Sequence, residues 1–113
     1  MPAWAVAFKE SVVDDLRAPG KKQGRAVLKA AISRLSEDPL AQTRNLKTLR
    51  PNGIAPRELK LFGRYRVLFA VDATEAVDAT EATVTILLAG EKKGDSLYVQ
   101  GKRFTAHESD PAE

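Results

Sequence analysis

Residues 57–72, RELKLFGRYRVLFAVD, constrain this chain more than any other stretch, because they read as two short strands joined by a turn centred on Gly63. Alternation is clean in the second strand. Tyr65, Val67, Phe69 and Val71 point one way, and Arg64, Arg66, Leu68 and Ala70 the other. Arg66 therefore stands mid-strand, on the face opposite the aromatic and β-branched side chains. A buried charge without a partner is too costly, so this arginine must reach solvent, a carboxylate or an anionic ligand. Its surroundings favour the anion: seven basic residues (Arg44, Lys47, Arg50, Arg57, Lys60, Arg64 and Arg66) lie between 44 and 66, against one acid, Glu58. Such a concentration suits a phosphate backbone.

The rest of the chain supplies the parts of a small α+β domain. Residues 3–8 alternate Trp4, Val6 and Phe8 against three alanines, as a strand does, with Trp4 and Phe8 expected in the core. Ser11 is placed to cap a short helix through Arg17, whose apolar face is Val12, Val13 and Leu16, and Pro19-Gly20 breaks it. A longer helix spans roughly 23–36, with Val27, Leu28, Ala31, Ile32 and Leu35 at helical spacing, and ends at Asp38-Pro39. Residues 40–56 form a polar, basic connection in which Leu46 and Leu49 anchor a turn. Strands follow at 57–62, 65–72 and 83–89, with a short edge strand at 97–99. The expected architecture is an antiparallel sheet of about four strands with an N-terminal helical hairpin on one face. Acid pairs such as Asp14/Asp15 read as solvated helix surface.

At 113 residues the chain is long enough for one core. We divide it into one domain, 1–107, and an acidic, disordered tail, 108–113. That tail holds three acids and no base, so 1–107 carries 18 basic and 12 acidic residues, a charge of +6 against +3 overall. Cysteine is absent and His107 is the only histidine, which argues against disulfides, thiolate metal sites and Cys/His nucleophiles. Neither phosphate-binding glycine motif, GxxxxGK[ST] or GxGxxG, occurs. No small-molecule cofactor or metal is therefore expected. The N-terminus lacks the signature of a signal peptide and no apolar run approaches spanning length, so the expected location is the cytoplasm, without membrane attachment. Residues 71–76, VDATEA, recur identically at 77–82, which reads as a tandem duplication inside a hairpin connection with no function of its own.

Taken together, the strand–helix–helix–strand–strand–strand order resembles the RelE/ParE superfamily of toxins from bacterial type II toxin–antitoxin modules. The segments that carry the resemblance are DP after the second helix, LKTL, GRYRVLFAVD and TILLAGEKKGDSLY, over roughly residues 4–104. The wording RELKLFGRYRVLF is most similar to the RelE-like and HigB-like branches. The resemblance implies one of two activities. RelE-like and HigB-like members are ribosome-dependent endoribonucleases that cut mRNA in the decoding site, whereas ParE-like members inhibit DNA gyrase and cut nothing. The fold alone does not separate them.

RNA cleavage without a metal needs a base for the 2′-hydroxyl, cations for the phosphorane-like transition state and an acid for the leaving 5′-oxygen. By resemblance, Arg66 is the superfamily's phosphate-contacting arginine, and Tyr98 is the tyrosine that stacks on or orients a base. Lys92 falls where that branch carries a basic residue, usually arginine; lysine keeps the charge and loses the bidentate fork. Lys93 is its immediate alternative. If Leu59 and Leu61 face the core, Glu58 and Lys60 share the open face with Arg66. Lys60 then supplies charge, and Glu58 serves as general base or holds Lys60 in place. His107 is the remaining acid/base candidate. Arg57, Arg64, Lys93, Lys47 and Arg50 complete the expected RNA-binding set. Each has a plainer alternative: Arg66 paired with Glu58 or a C-terminal acid, Tyr98 packing on an edge strand, Lys92 and Lys93 solvated in a Gly-bounded turn. The implied partners are a cognate antitoxin, with the ribosome and mRNA, or DNA gyrase under the ParE-like alternative. The resemblance also leaves a catalytically inactive interaction domain of the same fold. The 97–99 strand is a candidate docking edge for the antitoxin.

Overall fold

The computed structural model describes residues 4–49, 54–72 and 83–104. Arg50, the second copy of the VDATEA repeat, His107 and the acidic tail lie outside them. The order of elements is β1 (Ala5–Phe8), α1 (Ser11–Arg17), α2 (Lys21–Glu37), β2 (Leu46–Thr48), β3 (Arg57–Leu61), β4 (Tyr65–Asp72), β5 (Thr83–Lys93), β6 (Ser96–Val99) and β7 (Lys102–Phe104). The protein is α+β: two N-terminal helices pack on a predominantly antiparallel sheet of seven strands. Neighbours run β2-β3-β4-β5-β6-β7, and β1 pairs in parallel with the first half of β5. The sheet thus has seven strands rather than about four. β2 and β7 are three residues each, too short to show a period of two, and β5 runs four residues past Ala89.

The core lies between helices and sheet. Val12 of α1 and Val27, Ala31 and Leu35 of α2 pack against Leu46, Leu59, Leu61, Tyr65, Val67, Phe69, Val84, Ile86 and Ala89, all buried. A second, smaller cluster on the far face joins Leu68 and Leu97 to Ala55, with Leu49, Ile54, Leu88, Val99 and Phe104 around them. The two helices meet closely at Gly24, where an added Cβ would run into the carbonyl of Leu16. Gly20, at φ 110°, takes the backbone turn between them.

Four local readings change. Ser11 is the first helical residue rather than the cap; Glu10 precedes it with helical dihedrals, no side chain caps the helix, and the first bonds are Val12 N–H to Lys9 and Val13 N–H to Glu10. Phe8 is exposed at the end of β1, where it lines an open groove with Val13, Leu16 and Leu28 of the helices, while Trp4 packs partly buried against the core. Asp15 is buried instead of solvated. Residues 97–99 are not an edge, since β7 pairs with β6 on its outer side.

Asp15 has a specific task. β4 occupies one edge of β5 along its whole length. The other edge is shared, with β1 paired as far as Ile86 and β6 paired from Glu91 to Lys93. In the gap, Ala89 N–H donates to Asp15 Oδ2 at 3.1 Å, and Gln100 Nε2 donates to Oδ1 at 2.7 Å. One carboxylate thus satisfies a backbone donor the sheet leaves open and ties α1 to the β6–β7 turn.

Candidate functional site

Cross-strand partners share a face of a sheet, so the register sorts the candidate residues. Lys60 is opposite Arg66, Arg66 is opposite Gly90, and Glu58 is opposite both Lys47 and Leu68. Lys92 stands two residues past Gly90 on β5, opposite Leu97. Lys47, Glu58, Lys60, Arg66 and Lys92 therefore share the face away from the helices. At Gly90 the neighbouring strand comes close: an added Cβ would stand 2.6 Å from the Tyr98 carbonyl oxygen and 3.1 and 3.2 Å from Val99 and Leu97 side-chain atoms. Directly opposed Cβ atoms stand about 5 Å apart and diagonal ones about 7–8 Å, so Lys60, Arg66 and Lys92 form one row across this face.

Arg66 is held from below. It is 8% exposed, its Nε is 3.9 Å from Glu58 Oε1, and its Nη1 donates to the carbonyls of Tyr65 (3.2 Å) and Gly63 (3.4 Å). Glu58, 6% exposed, also faces Lys47 Nζ at 3.9 Å. The pairing with Glu58 that the sequence left open is thus present, and Glu58 faces both Arg66 and Lys47.

Tyr98 is separated from this group. It pairs with Glu91, which pairs with Tyr65, and all three belong to the helix-side face. There Tyr98 lines a cavity of about 160 Å³ with Asp15, Leu16, Tyr65, Glu91 and Gln100. Lys93 follows Tyr98 to that side, its Nζ 5.3 Å from the ring centroid. Both lysines are the last residues of β5 and precede the turn at Gly94–Asp95, so neither sits in the turn itself.

Two more basic candidates are committed elsewhere. Arg57 is buried on the helix side, where Nη1 donates to Thr48 Oγ1 at 2.8 Å, Nη2 donates to the Ala41 carbonyl, and the guanidinium lies over Phe69. Burial lowers its pKa, against the opposing charge of Asp38. Arg64, at the β3–β4 turn, donates to Tyr65 Oη at 3.0 Å, stacks on that ring and pairs with Glu91 at 3.5 Å. The Tyr65 bond is the main reason its pKa is raised. Arg50 and His107 lie outside the described residues.

Sequence reasoning missed Asp15 and Phe62. Asp15 had a signal, for it follows Val12 by three residues and so falls within the apolar stripe of α1. Phe62 was read as the end of a strand; it is the first residue of the turn and 61% exposed. Among the described residues no group of three or more His, Asp or Glu is arranged to hold a metal ion, and no helix is long and apolar enough to cross a membrane. Comparison with protein families, curated proteins and solved structures finds no match for the chain.

Proposed function

We propose that this chain is a RelE/ParE-like toxin of a type II toxin–antitoxin module that cleaves mRNA in the ribosomal A site. The observation that supports this reading is the stripe of Lys60, Arg66 and Lys92 across one face of the sheet. In this mechanism the 2′-hydroxyl gives up its proton to water as it attacks the adjacent phosphorus, and the 5′-oxygen takes up a proton as its bond to phosphorus breaks. The products are a 2′,3′-cyclic phosphate and a 5′-hydroxyl end. The three cations stabilise the charge that builds on the phosphoryl oxygens, which is a large part of such catalysis. Glu58 fixes the guanidinium of Arg66. The ribosome aligns the hydroxyl and the phosphate, a contribution that alone can amount to several powers of ten, so isolated RNA is a poor substrate. A cognate antitoxin would neutralise the protein by covering the cationic face. Action on mRNA places the protein in the cytoplasm.

The test is primer extension on a defined mRNA in a translating extract. The expected result is cleavage at codon-spaced positions that requires ribosomes and is lost in Lys60→Ala/Lys92→Ala, whose altered side chains are not fully buried. Uncut mRNA with the wild-type protein would refute the reading.

Two observations favour the non-nucleolytic, ParE-like alternative: Tyr98 faces away from the stripe, and Arg66 is already paired. Under that alternative, expression arrests growth with gyrase-linked DNA breaks and intact mRNA.

A further inference from the structure

β1 is paired on one side only. Its neighbour is β5, and among the described residues no strand lies against its other edge. Hydrogen bonding fixes which residues face that edge. Lys9 N–H donates to the Ile86 carbonyl of β5 at 3.0 Å, so Ala5 and Ala7, in phase with Lys9, turn their backbone groups toward β5. Trp4 is out of phase and donates instead to the Ser36 carbonyl near the end of α2, at 3.0 Å. Val6 and Phe8 share the phase of Trp4. Their N–H and C=O groups therefore point outward, and among the described residues no backbone group meets them. Such a row is a template for one more strand.

Beside that row the helix-side surface is apolar. The ring of Phe8, 40% exposed, lines a groove with Val13 and Leu16 of α1 and Leu28 of α2. Ile32, one turn beyond Leu28 and also exposed, continues the apolar stripe along α2. The rim is cationic: Arg17, Lys21 and Arg25 border the groove, and among the described residues no acid lines it. Arg17 is shared with Asp14 at 3.8 Å, whereas Lys21 and Arg25 are exposed and, among the described residues, form no ion pair. An open strand edge calls for an extended chain, the groove for apolar side chains on one of its faces, and the rim for negative charge.

We propose that the free edge of β1 docks an extended, acidic segment of a partner protein by strand addition. The segment exchanges backbone hydrogen bonds with Val6 and Phe8. Its apolar side chains, at every second residue, lie toward Phe8, Leu28 and Ile32, and its carboxylates lie against Lys21 and Arg25. This surface is on the helix side of the sheet, away from Lys60, Arg66 and Lys92, so it does not depend on the nuclease reading.

The experiment selects binders to the full chain from a phage-displayed library of random peptides about 12 residues long, enough for one strand. Enriched peptides are then synthesised and titrated by isothermal calorimetry, with amide exchange followed by NMR. The expected sequences alternate apolar residues with aspartate or glutamate. At saturation the amides of Val6 and Phe8 exchange at least about 10-fold more slowly, while that of Ala7, already bonded to β5, changes little. Lys21→Glu/Arg25→Glu lies on exposed first turns of α2, where acids suit the helix dipole, so its melting temperature is kept or raised. Its peptide affinity is expected to fall roughly 10-fold or more. N-methylation of the peptide residues that face β1 abolishes binding. The proposal is overturned by peptides that bind without protecting Val6 and Phe8, by an enriched set with no acidic excess, or by no enrichment at all. A dimer in sedimentation whose Val6 and Phe8 amides are protected without peptide would also overturn it, giving the edge to a second copy.

Discussion

Asp15 and Arg66 are both charged side chains more than nine-tenths buried, and each is held by named partners rather than by solvent. Removing either exposes what it satisfies. Asp15→Ala leaves the Ala89 N–H without its acceptor inside the fold, and we expect a loss of about 2 kcal/mol in urea unfolding with the slope unchanged. Arg66→Ala removes a cation that faces the buried Glu58 carboxylate, and we expect a loss of about 2–4 kcal/mol, part of which returns in Arg66→Ala/Glu58→Gln. Lost activity in Arg66→Ala must therefore be read beside a melting curve. Arg66 was legible because alternation in RYRVLFAVD fixes its face. Its carboxylate partner needed the register, since Lys60 and Arg66 both stand as cations for Glu58 in the sequence.

Among the elements, all were legible except the two three-residue strands, β2 and β7. α2, β3 and β4 follow from spacing alone, within two residues at each end. β2 and β7 exist through their partners: Leu46–Thr48 is held by β3, and Lys102–Phe104 covers β6. Hence the expected docking edge at 97–99 is already paired. Lys92 and Lys93 similarly became strand residues because β6 extends the pairing of β5 to its last position. The helical hairpin depends on Gly24, whose Cα lies too close to the Leu16 carbonyl for any side chain. Gly24→Ala is expected to force the helices apart and cost about 1–3 kcal/mol by thermal or urea unfolding. A cost below about 0.5 kcal/mol would show that α1 shifts freely.

Over the whole molecule, one sheet presents two chemically different faces. The far face carries Lys47, Lys60, Arg66 and Lys92 beside a small apolar cluster. The helix-side face buries Arg57 and gathers both tyrosines around a cavity. The sequence grouped Arg66, Lys60, Lys92 and Tyr98 by resemblance. The register keeps the first three together and sets Tyr98 apart, because it is one residue out of phase with Lys92's partner, Leu97. No periodicity within 96–99 could reveal that, since phase across strands is a tertiary fact. A face that binds RNA through about three phosphates should lose affinity with salt at a slope of about −2 on logarithmic axes.

The central claim is that the cationic face, and not the tyrosine behind it, carries the reaction. The most direct measurement compares Lys92→Ala and Tyr98→Phe with wild type for codon-spaced mRNA cleavage in one translating extract. The account predicts wild-type cleavage by Tyr98→Phe and a loss on the order of 10²-fold for Lys92→Ala. Cleavage abolished in Tyr98→Phe and retained in Lys92→Ala would contradict it.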